Sequence, residues 1–143
     1  MKRWLLDTNI ISELRKARPE SRVIAFIQAQ PLEGLYLSAV SIAEIRFGIE
    51  IIEDPIKRAE LNDWLTLKVR PMFDGRILQV GEDVMFKWRL FVAEGRKINY
   101  TFSQPDLIIA ATAQHYGLGI VTRNTTDYEK TRVPTFNPWV DCL

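Results

Sequence analysis

The sequence has little of what zinc sites and disulfide scaffolds are made from. It contains one cysteine, Cys142, and one histidine, His115, in 143 residues. A single cysteine excludes a disulfide within the chain and fits a reducing compartment. The two residues together are also too few for a Cys/His zinc cluster.

Long apolar runs and a strong net charge are absent as well. The apolar run near the start ends at Asp7, too early for a secretory signal core, and no other segment reaches membrane-spanning length. Nineteen Lys and Arg residues against eighteen Asp and Glu residues give a formal net charge of +1. We therefore expect a soluble, cytoplasmic protein without membrane contact, in which any polyanion site is local.

The length is that of one domain, residues 1–143, which can bury about two-thirds of its unfolded surface. Short apolar segments alternate with longer segments whose apolar residues recur at helical spacing. Strands are predicted at 4–6, 35–38, 77–80, 119–122 and 133–136, and helices at 8–14, 21–30, 41–52, 55–69, 82–97 and 105–117. This order predicts an α/β fold: a central parallel sheet of four to five short strands flanked by helices in three layers.

Asp7 is the first candidate functional residue. It follows Trp4–Leu6, which has the pattern of a strand buried on both faces, and Thr8 and Asn9 can cap the next helix. Ligands of open parallel sheets bind at the carboxyl ends of the strands, where we expect Asp7 to lie. A lone Asp at this place is equally expected as a turn or helix-cap residue.

Three further acids favour a functional role for that edge. Glu44 is predicted in the first turn of a helix, where Ser41 and Glu44 also match a capping box, and the two roles are compatible. Asp106 is predicted in the first turn of an apolar helix, with complementation of the helix dipole as the simpler explanation. Asp127 follows a predicted strand and alone is typical of a loop. His115 lies at the far end of the Asp106 helix and is predicted to be structural.

Helix beginnings and strand ends share one edge in such a fold, so we expect Asp7, Glu44, Asp106 and Asp127 to converge. Four carboxylates in one pocket repel one another, and burial raises their pKa values, so protons or cations must compensate. Oxygen ligands favour Mg²⁺ or Mn²⁺. One such ion, or two about 3.5–4 Å apart, can lower the pKa of a bound water and neutralise charge on a phosphodiester.

Two other segments bear on substrate contact. The basic connector 15–19 is predicted to be a solvated loop, with phosphate contact as the alternative. The loop 98–103 contains Tyr100 and Phe102, whose rings are expected to pack over the core, with stacking on bases as the alternative.

Four segments resemble, in order and at full-domain spacing, the signature blocks of PIN-domain nucleases. They are Leu5–Asn9, Ser41–Ile49, Asp106–Ala113 and Thr122–Tyr128. The likeness is to the VapC toxins of bacterial type II toxin–antitoxin pairs, especially their FitB-like branch.

This resemblance implies that four acids are catalytic and bind Mg²⁺ or Mn²⁺, namely Asp7, Glu44, Asp106 and Asp127. It implies that Thr8, Thr122 and Asn124 line the site and hold carboxylates or water in place. It also implies cleavage of RNA, a homodimer that can assemble further with its partner, and inhibition by a cognate antitoxin.

Two other functions are compatible with these residues. Asp7 after a first strand is also typical of an aspartyl-phosphate phosphatase, but that chemistry usually needs a second acid two residues on, where Asn9 stands. The acidic pocket could instead belong to a non-catalytic module that binds RNA or a basic peptide. The presence of all four acids argues against such a degenerate site.

Overall fold

The computed structural model describes residues 2–142 and is built around a five-stranded sheet in the order β3-β2-β1-β4-β5. Every neighbouring pair of strands is parallel. The strands are β1 (Trp4–Leu6), β2 (Leu35–Ser38), β3 (Ile77–Leu78), β4 (Gly119–Val121) and β5 (Thr135–Phe136). The predicted α/β fold with a central parallel sheet is confirmed, although β3 and β5 are shorter than predicted.

Helices connect the strands. They are α1 (Thr8–Arg15), α2 (Ser21–Ala29), α3 (Ala39–Glu50), α4 (Pro55–Trp64), α5 (Arg70–Met72), α6 (Glu82–Lys97) and α7 (Gln104–Tyr116). A π-helical segment, Leu65–Val69, follows α4, and 3-10 segments lie at Leu32–Gly34 and Thr125–Thr131. Within residues 2–142, none of the helices combines the length and the apolar character that crossing a membrane requires.

The alternation of side chains along β1 divides the core into two layers. Trp4 and Leu6 pack with apolar residues of α1, α2 and α3 on one face of the sheet. Leu5 packs with residues of α6 and α7 on the other face. All three side chains are buried, as expected for a strand covered on both sides. The helices therefore enclose the sheet from both faces, and functional groups are left to its edges.

The strand order creates a crevice at the carboxyl end of β1. The chain leaves β1 toward β2 on one side and returns to β4 on the other side, and ligands bind where connections diverge in this way. The Asp7 amide donates to the Val121 carbonyl at 2.9 Å, which keeps the ends of β1 and β4 together. Asp7 and Thr122, the residues that follow these two strands, therefore lie side by side.

The predicted start of α3 is wrong. The helix begins at Ala39, and Ser38 is its N-cap, with Ser38 Oγ accepting a hydrogen bond from the Val40 amide at 3.1 Å. Because β2 runs directly into the helix, the last residue of the strand provides the cap. The capping box of Ser41 and Glu44 does not form, and Glu44 lies in the second turn.

The loop between α6 and α7 packs as predicted. Phe102 is buried, and Tyr100 meets its ring edge-on with the centroids 4.8 Å apart. A Cβ on Gly95 would lie 2.7 Å from the Tyr100 carbonyl oxygen and 3.0 Å from the Phe102 ring, so this loop closes tightly over α6.

Candidate metal centre

Asp7 is both the residue that follows β1 and the N-cap of α1. Its Oδ1 accepts a hydrogen bond from the Thr8 amide at 2.8 Å. The prediction that Thr8 or Asn9 caps the helix is wrong, and the alternative that Asp7 is itself a helix cap is confirmed. Its Oδ2 accepts from Thr122 Oγ1 at 2.9 Å and from the Tyr128 hydroxyl at 3.0 Å. Asn9 Nδ2 also lies 3.5 Å from Oδ2. The two oxygens therefore have different partners, a backbone amide of α1 on Oδ1 and three side chains on Oδ2.

The Thr122 hydroxyl organises the loop beside Asp7. It donates to Asp7 and accepts from Asn9 Nδ2 at 3.3 Å and from the Asn124 amide at 3.0 Å, which uses its one proton and two lone pairs. Of the predicted supporting residues, Thr122 acts through its side chain. Thr8 and Asn124 act through their backbone amides.

Asp106 lies in the first turn of α7, and its Oδ1 is 3.3 Å from the Tyr128 hydroxyl. Partial burial raises the pKa of the Asp106 carboxyl above its ordinary value, and the negative charges of Asp7 and Asp127 raise the pKa further. Hydrogen bonds from Tyr128 and Ser103 oppose this rise. The raised pKa marks a place of negative potential, where a bound cation would be favourable.

Glu44 and Asp127 are both exposed. Glu44 lines one cleft of about 540 Å³ together with Asp7 and Asp106. Asp127 belongs to the 3-10 segment Thr125–Thr131 and acts on Asp106 through its charge, but it does not line that cleft. Among residues 2–142, no three His, Cys, Asp or Glu side chains lie close enough together to form a metal-binding group. The four acids as one ligand set therefore stay a prediction.

Two positively charged side chains also line the cleft. Lys16, from the basic connector 15–19, lines it and pairs with Glu13 at 2.8 Å. Arg123 lines it as well, with its guanidinium 5.0 Å from the centroid of the Trp139 ring. Two positive groups therefore stand beside the carboxylates, which suits an anionic ligand.

The donor set of the cleft fits a hard divalent cation. Four carboxylates line it, those of Asp7, Glu13, Glu44 and Asp106, and neither a histidine nor a cysteine is among its lining residues. Glu13 is already paired with Lys16, which leaves the other three for a cation. His115 lies in the last turn of α7, away from this cleft. Among the residues that the structure describes, Asp7 Oδ1 accepts only the Thr8 amide, so it retains a lone pair. Oxygen ligands of this kind suit Mg²⁺ or Mn²⁺.

A larger cleft, of about 790 Å³, lies between α6, α7 and residues 130–134. Its charged lining residues are Lys87, Glu94, Lys97, Lys130 and Arg132. None of the predicted acids lines it, and one carboxylate cannot form a metal site of the kind predicted. The chemistry of the side chains, and not the volume, therefore favours the smaller cleft as the candidate site.

Sequence reasoning missed two residues of the site. Tyr128 is completely buried, and its hydroxyl contacts both Asp7 and Asp106. Buried aromatic residues are common in cores, so the sequence alone carries no signal for this contact. Glu13 is also buried and accepts from Lys16 Nζ at 2.8 Å and from the Glu20 amide at 2.9 Å. Its spacing of three residues from Lys16 on a helix was the available signal.

Comparison with known proteins identifies the family of the chain. The PIN domain family model matches residues 4–133. The VapC ribonuclease Y4jK of Sinorhizobium fredii is 37% identical over 135 residues, covering 94% of this chain and 96% of that protein. The toxin FitB of Neisseria gonorrhoeae is 36% identical over 137 residues, covering 96% and 99%.

Solved structures give the same result. The crystal structure of FitAcB from Neisseria gonorrhoeae matches with a TM-score of 0.90 at 35% identity, covering 96% of this chain and 99% of that chain. The sequence blocks, the fold and these relatives agree, and the chain belongs to the PIN-domain family, where it is similar to the VapC and FitB proteins.

Proposed function

We propose that the chain is a metal-dependent endoribonuclease that acts as the toxin of a toxin–antitoxin pair. The observation that carries the proposal is that Asp7 and Asp106 both contact the buried hydroxyl of Tyr128. Both acids line a cleft that Glu44 also lines. The relatives support it, since one is named a VapC ribonuclease and another a toxin.

Asp7, Glu44 and Asp106 would hold the Mg²⁺ or Mn²⁺ ion, with Asp127 as the fourth acid at the rim. A bound ion supplies a lowered pKa for its water and neutralises charge on the phosphodiester during hydrolysis. Thr122 fixes the Asp7 carboxylate by its hydrogen bond to Oδ2. The Asn124 amide bonds to Thr122 Oγ1 and thereby keeps that hydroxyl in place.

Local cations would bind the substrate. The whole chain has a formal net charge of only +1, so attraction to RNA must come from particular side chains. Lys16 and Arg123 line the acidic cleft, where they would contact phosphates of a bound RNA. Arg is suited to phosphate because its planar guanidinium can donate two parallel hydrogen bonds.

The surface supports protein partners. Large apolar side chains are more than half exposed on α3, on α4 with the segment that follows it, and on α6: Phe47, Ile51, Ile56, Leu67 and Phe86. Where such side chains form a contiguous patch, they mark protein interfaces. We assign these surfaces to a second copy of the chain and to the cognate antitoxin, which inhibits the toxin. Light scattering on the isolated chain should give the mass of a dimer, and a monomer at high concentration would contradict the homodimer.

Cleavage assays with and without added metal ions test the proposed nuclease activity. The chain, stripped with EDTA, is incubated with RNA or single-stranded DNA after addition of Mg²⁺, Mn²⁺ or no metal. We expect cleavage of RNA only with metal, and a loss of about 100-fold or more in Asp7→Asn and Asp106→Asn, since the ion contributes several kcal/mol to the transition state. Asp63→Asn, at an exposed position on α4, is the matched control and should cleave normally.

The other outcomes identify the alternatives. Equal cleavage in EDTA would contradict the metal dependence. Binding of RNA without cleavage and without metal binding would identify a non-catalytic module. A phosphoryl group trapped on Asp7 would instead identify an aspartyl-phosphate phosphatase.

A further inference from the structure

We propose that Tyr128 is a positioning residue that holds one oxygen of Asp7 and so leaves the other oxygen for the metal ion. This inference rests on the proposed function and adds to it a residue outside the acidic quartet. It concerns the hydroxyl group alone, because the ring has a separate role in the core.

The ring of Tyr128 fixes where the hydroxyl lies. The side chain is completely buried in the core layer between the sheet and α6 and α7. The Tyr128 carbonyl accepts a hydrogen bond from Thr131 Oγ1 at 2.6 Å, which fastens the backbone at this point. A ring enclosed on all sides cannot withdraw its hydroxyl without disturbing the packing around it.

The hydroxyl contacts two carboxylates but has one proton. It lies 3.0 Å from Asp7 Oδ2 and 3.3 Å from Asp106 Oδ1. A phenolic hydroxyl donates one hydrogen bond at a time, and the shorter contact gives Asp7 the larger share of that bond. Tyr128 therefore holds the Asp7 carboxylate more firmly than that of Asp106.

The two oxygens of Asp7 become inequivalent as a result. Oδ2 accepts from Thr122 and Tyr128 and, at the longer distance of 3.5 Å, from Asn9 Nδ2, and these side-chain donors occupy its lone pairs. Within residues 2–142, Oδ1 accepts only the Thr8 amide. The oxygen left for an ion is therefore Oδ1, and hydrogen bonds that hold a ligating carboxylate in one orientation are a known way to strengthen metal binding.

Tyr128→Phe tests the hydroxyl without removing the ring. Mn²⁺ is titrated into the EDTA-stripped full chain by calorimetry, and cleavage of RNA is measured over a range of Mn²⁺ concentrations. We expect Mn²⁺ affinity to fall by about 10–100-fold, with most of the cleavage rate restored at saturating Mn²⁺. Tyr116→Phe, at a partly exposed tyrosine at the far end of α7, is the control and should bind Mn²⁺ as the wild type does.

A double-mutant cycle with Thr122→Val tests the shared oxygen. Because both donors act on Asp7 Oδ2, we expect their effects on Mn²⁺ affinity to be non-additive. A merely structural role for the hydroxyl predicts a lower melting temperature in EDTA and an unchanged Mn²⁺ affinity. If Tyr128→Phe gives that result while the wild type binds Mn²⁺ and cleaves RNA, the positioning role is overturned. The proposed nuclease function is then unaffected.

A second measurement does not depend on the variant folding. In crystals of the wild-type chain with Mn²⁺, we expect the ion on Asp7 Oδ1 and the Tyr128 hydroxyl still on Oδ2. An ion on Oδ2 with the hydroxyl displaced would overturn the inference. A wild-type chain that neither binds Mn²⁺ nor cleaves RNA would overturn both the inference and the proposed function.

Discussion

Thr122 Oγ1 donates to Asp7 Oδ2 at 2.9 Å and so joins two residues that are 115 positions apart in the chain. The contact exists because β1 and β4 are neighbours in the sheet and each residue directly follows its strand. Both side chains are buried. The orientation of the first carboxylate of the proposed metal centre therefore depends on the pairing of the two central strands.

Thr122→Val should destabilise the fold. The substitution keeps the shape of the side chain but removes a donor to a buried carboxylate, which typically costs about 1.5–3 kcal/mol. The free energy of unfolding in urea measures the loss, and the m-value should not change. Thr122→Ser retains the hydroxyl and should recover most of the stability. A Val variant as stable as the wild type would show that this hydrogen bond contributes nothing.

Asp106→Asn should stabilise the metal-free protein. The folded-state pKa of Asp106 is raised above the ordinary 3.8 by burial and by the charges of Asp7 and Asp127. Below 3.8 the carboxyl is protonated in both states and costs nothing, whereas above the folded-state pKa the ionised group destabilises the fold. In EDTA, urea unfolding of the Asn variant should show a gain at neutral pH that disappears in acid.

Mn²⁺ should reverse the order of stability of Asp106→Asn and the wild type. Binding to the folded state alone stabilises it, so the wild type should gain stability from the ion and the Asn variant should not. A metal-free Asn variant less stable than the wild type at neutral pH would contradict the repulsion on which the site is built.

Glu13→Gln should show the opposite pH dependence. The hydrogen bond from Lys16 lowers the pKa of Glu13 below the ordinary 4.5, the Glu20 amide and the charges of Lys16 and Arg123 lower it further, and burial opposes them. The stabilisation is present above the ordinary pKa and is lost as the pH falls through the lower folded-state value. Unfolding in urea should show Glu13→Gln less stable than the wild type at neutral pH and equal to it in acid. Glu53→Gln, at an exposed bend, is the control, and a pH-independent difference for Glu13 would refute the account.

Ser38→Ala and Ser41→Ala should differ in their effect on the free energy of unfolding, although both serines are fully buried. Ser38 caps α3, and loss of an N-cap costs about 0.5–2 kcal/mol. Ser41 Oγ makes no hydrogen bond within the described part of the chain, so its removal should be neutral or stabilising. Urea unfolding of the two variants measures the contrast. An equal loss in both would contradict the assignment of the cap to Ser38 alone.

The sequence predicted the fold well because its signals are local. Trp4–Leu6 has three consecutive apolar residues before an acid, and Gly117 directly follows an apolar helix, where it adopts a φ of 68°. Strands and helix ends of this kind are decided within a few residues of sequence. The prediction of where α3 begins failed because Ser38 and Ser41 are both plausible caps. Only the direct passage of β2 into the helix selects Ser38.

The site was predicted less completely because its contacts are not local. Tyr128 contacts Asp7, which is 121 positions away in the chain, and Asp106, which is 22 positions away. No spacing in the sequence indicates such contacts. The placement of Asp7 beside Asp106 followed from the shared edge of strand ends and helix beginnings. The exposed position of Asp127 did not follow, because it depends on the path of the 3-10 segment after Thr122 and not on the sheet.

Calorimetric titration of Mn²⁺ into the EDTA-stripped chain tests most directly whether these carboxylates form a metal centre. The account predicts stoichiometric binding to the wild type and to Asp63→Asn, and its loss in Asp7→Asn and in Asp106→Asn, since each variant removes a ligand oxygen charge from the cleft. Absence of binding to the wild type, or equal binding by all four proteins, would contradict it.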